Sequence, residues 1–205
     1  MFKRTELPVA SHWGVTIRNQ LLTRPDAKGL AVFFPGNAYP GEGPLLYYLR
    51  LAAQEAGFNC LNINYGFYGA GADITHALFG TVISESLEAL SKAKQIPDII
   101  IAKSMGTIIG GEICNRQNWS PRCFWLTPVT ATLPYIERLG GEVVYGTADN
   151  LFPPEAAAEL EKMEGVKITA IEKANHSLDI PGDWRTSLDI LHKITETGVS
   201  FLKQV

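Results

Sequence analysis

The sequence predicts an α/β protein: a three-layer α/β/α sandwich on a mostly parallel sheet, one domain over residues 1–205, with no cap domain. Three observations carry this. Short apolar runs bounded by Gly or Pro alternate with stretches of helical spacing along the whole chain. One such run, Asp98-Ile-Ile-Ile-Ala-Lys103, rises into Ser104, and a second apolar stretch of helical character follows at once. Two later runs end in chemistry-bearing residues, Val143-Val-Tyr-Gly-Thr-Ala-Asp149 in an acid and Ile171-Glu-Lys-Ala-Asn-His176 in a histidine.

The elements follow in order. Apolar and polar residues alternate over 14–22, which predicts an exposed antiparallel edge strand. Leu30-Ala-Val-Phe-Phe34 reads as a buried strand closed by Pro35-Gly36. Pro44 opens a helix carrying Leu45, Leu46, Leu49, Ala52 and Ala53, and Gly57 stops it. Cys60-Leu-Asn-Ile-Asn64 is the next strand, followed by a Gly- and aromatic-rich loop over 65–71. Asp73 is placed to cap a long helix towards Lys94, which Ile96-Pro97 ends. After the strand at 98–103 and the turn at Ser104, a helix runs to about Arg116. Strands are expected at 123–127, 142–145 and 166–171, with Pro153-Pro154 starting a helix between the last two. The closing helix, 183–202, places Trp184, Leu188, Leu191, Ile194 and Phe201 on its apolar face.

A serine hydroxyl is a weak nucleophile near neutral pH. It needs a base to take its proton and a third group to orient that base. A sharp turn after a buried strand lifts the hydroxyl above the sheet, and the flanking residues must be small because strand and helix approach closely there. Ala102 and Gly106 are the flanks of Ser104. Asp149 is the one aspartate between Ser104 and His176. Of the other histidines, His12 precedes the sheet, His76 follows the aromatic loop and His192 sits within a helix; His176 alone ends a strand. Lys103 adjoins the serine, but neighbouring strand residues point to opposite faces, so its amine is expected to pair with a carboxylate beside the sheet.

The segments Phe33-Phe-Pro-Gly36-Asn37, Ala102-Lys-Ser104-Met-Gly106, Gly146-Thr-Ala-Asp149 and Ala174-Asn-His176 together resemble the α/β-hydrolases. The resemblance runs from Leu30 to about Leu202 and is nearest the small, lidless dienelactone-hydrolase and esterase-like members. It implies Ser104 as nucleophile, His176 as general base and Asp149 as the acid that fixes the imidazole. It also implies an oxyanion hole from the Met105 amide and a second amide after Pro35-Gly36, at Asn37 or Ala38. Pro35 stands where that family often has histidine. Aromatic residues Tyr39, Tyr65, Phe67, Tyr68 and Phe152 fall in loops expected to crown the sheet. Tyr39, Tyr65, Phe67 and Phe152 are candidate walls of an acyl or aryl pocket, with packing against one another as the equal alternative.

Composition narrows the function class. A net charge of −3 gives no electrostatic case for nucleic acid or an anionic membrane. Cys60, Cys114 and Cys123 are widely spaced and form no zinc-binding pattern, so buried reduced thiols are expected, with no metal and no cofactor. The N-terminus lacks the apolar region of a secretory signal, so the cytoplasm is the expected location. The expected partner is a small acyl substrate and the expected activity that of a serine hydrolase on an ester or thioester. A non-catalytic binding scaffold on the same fold and an acyltransferase using the same triad are the alternatives.

Overall fold

A computed structural model describes residues 2–204. Its centre is an eight-stranded sheet in the order β1-β2-β4-β3-β5-β6-β7-β8. The strands are β1 (Lys3–Ala10), β2 (Thr16–Thr23), β3 (Leu30–Phe34), β4 (Asn59–Asn62), β5 (Ile99–Lys103), β6 (Arg122–Leu126), β7 (Gly141–Gly146) and β8 (Val166–Ile171). From β4 to β8 neighbouring strands are parallel, while β1 and β2 form an antiparallel hairpin that joins through β2 and β4.

β2 therefore exists near the expected place but is not the edge; β1 is. Only Leu7 and Val9 of β1 turn inward, so its alternation is too brief to read against Lys3, Arg4, Glu6 and Pro8. The same charged residues and proline blunt an otherwise open strand edge.

The inner strands are apolar on both faces because helices cover both. On one face α1 (Pro44–Glu55) and α7 (Trp184–Lys203) pack over Ala31, Phe33, Ile99 and Ile101. On the other, α3 (Phe79–Ala93), α4 (Met105–Gln117), α5 (Leu133–Leu139) and α6 (Pro154–Leu160) cover Val32, Phe34, Ile100 and Ala102. The α1–α7 crossing depends on Gly198: a Cβ there would lie 2.0 Å from Leu49 Cδ2. Trp184 and Leu188, expected on the buried face of α7, are 62% and 55% exposed. The helix begins beyond the sheet, so its buried stripe starts at Ile190 and continues through Ile194, Phe201 and Leu202.

Two further boundaries differ. Residues 65–71 contain a short helix, α2 (Gly66–Ala70), closed by Gly71 in the left-handed region. The long helix starts later than Asp73, after a single 3-10 turn at His76–Leu78. Asp183 does cap α7, its carboxylate accepting from the Thr186 amide at 3.1 Å. Between β6 and α5 lies only a short turn, so no cap domain stands over the sheet among the described residues. No helix among them is long and apolar enough to cross a membrane.

The strand order reverses between β3 and β5. In open α/β sheets the crevice at the carboxyl ends of such a pair is where ligands bind. Phe34 pairs with Ala102 at this point, so residues 35–37 and Ser104 emerge side by side.

Candidate active site

Ser104 sits between β5 and α4 with φ 52° and ψ −122°, a conformation that non-glycine residues rarely adopt. Such a residue costs on the order of 1–3 kcal/mol and persists only where its surroundings hold it. Its amide donates to the Leu126 carbonyl at 2.9 Å, and its carbonyl accepts from the Thr107 amide at 2.9 Å and from the Thr107 hydroxyl. Thr107 is tied in turn to Thr132 by a hydroxyl–hydroxyl bond of 2.6 Å. Gly106 lets the turn sit this close to β3: a Cβ there would lie 2.4 Å from the carbonyl oxygens of both Phe34 and Pro35. At the other flank, Ala102 is wholly buried and its methyl is accommodated.

His176 lies in the loop after β8, and Asp149 in the turn after β7. The two loops meet because Gly146 has no side chain: a Cβ would come within 2.1 Å of the Ala174 carbonyl oxygen. The Ala148 amide donates to that same carbonyl at 3.0 Å. His176 Nδ1 then stands 2.7 Å from Asp149 Oδ2, and Nε2 stands 2.7 Å from Ser104 Oγ. Asp149 Oδ1 accepts from the Leu151 amide at 2.8 Å. The Asp149 side chain is fully buried and the His176 side chain 27% exposed. With Nδ1–H donating to the carboxylate, Nε2 is left as the acceptor facing the serine hydroxyl. The three residues singled out in the sequence are thus brought together by three different strand ends. A serine so placed is able to pass its proton to the imidazole, which the buried carboxylate orients.

Lys103 does not pair with a carboxylate. Nζ, buried with the residue at 1% exposure, donates to Thr127 Oγ1 at 2.9 Å and to the His176 carbonyl at 3.0 Å. It also lies 4.7 Å from the centre of the Tyr39 ring. Thr127, just past the end of neighbouring β6, and the loop after β8 place a hydroxyl and a backbone carbonyl within reach, and these satisfy the ammonium instead. Burial pulls its pKa down to about 8, against the attraction of Asp149 and Asp179.

The loop after β3 passes tightly over the turn: a Cβ on Gly36 would lie 3.2 Å from Ser104 Cβ. The Gly36 amide donates to the Tyr39 carbonyl at 3.0 Å. Among the described residues the amides of Asn37, Ala38 and Met105 donate to no protein acceptor; that of Met105 belongs to the first turn of α4, where no intrahelical partner exists.

Beside Ser104 opens a cavity of about 430 Å³. Ile74, Phe79, Ile108, Val129 and Leu151 give it an apolar wall, and Asn37, Ser104, Met105 and exposed His76 also line it. Tyr39, Tyr65, Phe67 and Phe152 are not among its lining residues. Tyr39 turns away, its ring towards Lys103 and its hydroxyl accepting from the Leu45 amide at 2.9 Å, which caps α1. Tyr65 and Phe67 stack on each other with centroids 5.4 Å apart, and Phe152 packs on Tyr145 at 5.1 Å. The aromatic side chains gain more by burying their rings against one another than by lining an open crevice. Ile74 and Phe79 carry no site signal in the sequence because they lie within the stretch that reads as one long helix from Asp73 towards Lys94; Leu151 and Ile108 carry no signal beyond adjacency to Phe152 and to the serine turn.

Cys60, Cys114 and Cys123 are buried free thiols. Burial pushes Cys60 and Cys114 up to about 12 and raises Cys123 well above its ordinary value, which removes them as nucleophiles near neutral pH.

No protein-family model matches the chain, and no curated protein does. Many solved structures share its fold. One is an α/β hydrolase of unknown function from Agrobacterium tumefaciens, 16% identical, with a TM-score of 0.74 and 94% of each chain covered. Another is a lidless α/β serine hydrolase from Xanthomonas campestris, 15% identical, TM-score 0.68, covering 97% of this chain and 94% of that one. A third is a dienelactone hydrolase from Anabaena variabilis, 14% identical, TM-score 0.68, covering 98% and 96%. The chain has the α/β-hydrolase fold.

Proposed function

We propose that the protein is a serine hydrolase that cleaves a small ester or thioester through an acyl-enzyme on Ser104. The observation that carries this reading is the pair of 2.7 Å bonds linking Ser104, His176 and Asp149, with the serine held at positive φ beside an apolar cavity. A binding scaffold has no use for a strained serine aimed at a histidine that a buried carboxylate orients.

The chemistry follows from the geometry. Ser104 Oγ attacks the substrate carbonyl as its proton passes to His176 Nε2. The carbonyl oxygen takes up the negative charge, which the Met105 and Asn37 amides stabilise. Asp149 stabilises the imidazolium. The tetrahedral intermediate collapses, His176 returns the proton to the departing alcohol or thiol, and the acyl group stays on Ser104. Water then loses a proton to His176, attacks the acyl-enzyme and releases the acid, and the proton returns to Ser104. The apolar cavity suits the acyl portion, and with no cap domain over it among the described residues the site is open to a small soluble substrate.

The test is an alkyl fluorophosphonate followed by intact mass. One adduct on the wild type, none on Ser104→Ala and slow labelling of His176→Ala are the expected results. A folded wild type that takes up no adduct would overturn the reading.

A further inference from the structure

Asn37 borders two cavities, the one at Ser104 and one of about 610 Å³ lined by Tyr65 and Tyr68. In a trans peptide the carbonyl and the N–H point in opposite directions. Holding one therefore aims the other.

Two tyrosine hydroxyls hold carbonyls of this loop. Tyr65 donates to Pro35 at 3.1 Å, and Tyr68 donates to Gly36. Their consequences differ. The peptide that carries the Pro35 carbonyl has the Gly36 N–H on its other side, already donated to Tyr39. The peptide that carries the Gly36 carbonyl has the Asn37 N–H on its other side, and that amide has no acceptor among the described residues. Gly36 itself offers little resistance to rotation about this peptide, and a Cβ there would crowd Ser104 Cβ at 3.2 Å and Tyr39 Cβ at 3.3 Å. Rotated by half a turn, the peptide would present a carbonyl oxygen where an oxyanion has to form.

We infer that Tyr68 is a positioning residue for the oxyanion site: by binding the Gly36 carbonyl from the far side, its hydroxyl fixes the Asn37 N–H towards the oxygen that gains charge when Ser104 attacks. The inference rests on the hydrolase reading. It accounts for the aromatic segment that does not line the Ser104 cavity. The ring of Tyr68 is packed on Phe67 with centroids 4.6 Å apart, on a helix ended by Gly71, so the hydroxyl is presented by a fixed frame. Burial, with Glu42 nearby, pushes the phenol well above its ordinary range, so it remains a neutral donor wherever His176 works as a base.

The experiment measures the rate constant and the binding constant of inactivation by a small alkyl fluorophosphonate, whose phosphoryl oxygen occupies the oxyanion position. Deleting a single oxyanion donor costs about 100- to 1000-fold in other enzymes. Releasing its orientation should cost less, so Tyr68→Phe is expected to slow inactivation by about 10- to 100-fold with binding within about twofold of wild type. Tyr65→Phe, whose peptide has no free N–H, should stay within about threefold. Wild-type rates in Tyr68→Phe, or equal losses in both variants, would overturn the inference. A second measurement needs only the wild type: in amide spectra of the fluorophosphonate adduct, the Asn37 and Met105 protons should move downfield together. Movement of Ala38 in place of Asn37 would overturn it. If the wild type takes up no adduct, the hydrolase reading fails and this inference falls with it, whereas labelled wild type with unaffected Tyr68→Phe defeats this inference alone.

Discussion

Replacing Lys103 with methionine should change how stability depends on pH. The Lys103 ammonium titrates near 8 in the folded protein because it is buried, and at its ordinary value of 10.5 when the chain unfolds. The folded-state value is the lower one, so between these two pH values the unfolded chain binds one more proton than the native protein. Stability from this residue therefore rises with pH across that window; it is constant below about 8 and constant again above 10.5. Each pH unit within the window is worth about 1.4 kcal/mol, so the whole shift corresponds to about 3 kcal/mol. No discount for solvent screening is needed, since the residue is 1% exposed. Other groups act with the opposite sign. Tyr39, Tyr65, Tyr68 and the three cysteines ionise less readily when folded and lower stability at alkaline pH. They are common to both proteins and cancel in the difference. Urea unfolding of wild type and Lys103→Met at intervals from pH 7 to 10, followed by tryptophan fluorescence, gives that difference directly. It should be level up to about pH 8 and then grow in favour of wild type, reaching about 2–3 kcal/mol at pH 10. A difference that stays level over the whole range would refute the argument that this amine is held charged in a dry site.

Three further outcomes follow from the same geometry. Asp149→Asn should keep the fold but lower the fluorophosphonate labelling rate by about 10³- to 10⁴-fold, since the imidazole loses the acceptor that fixes its tautomer; circular dichroism and labelling kinetics measured together check this. Gly106→Ala should destabilise the protein by about 1–3 kcal/mol and abolish labelling, because its methyl meets two backbone carbonyls rather than a movable side chain; a denaturant midpoint and intact mass give both readings. Phe79→Trp should narrow the Ser104 cavity and shift the preferred p-nitrophenyl ester towards shorter acyl chains, with acetate hydrolysis changed little; comparing kcat/KM along an acyl series tests it.

The sequence alone determined the alternation of buried strands and helices, and with it the parallel sheet. Runs such as Leu30–Phe34 and Ile99–Lys103 are apolar throughout because both their faces are covered, and that pattern is local. It likewise singled out Ser104, Asp149 and His176, since each lies within a few residues of a strand end and strand ends are legible. The tertiary structure alone decided what neighbours across the sheet do to one another. β1 was hidden because only two of its side chains turn inward. The partners of Lys103 and the tyrosine bonds to the Pro35 and Gly36 carbonyls join residues separated by 24 or more positions, and the apolar wall of the cavity gathers residues from several elements between Ile74 and Leu151. Local periodicity reports which face of an element is buried. It carries no record of what lies on the far side of that face, and at this site the Asp149 carboxylate that orients His176 comes from another strand end.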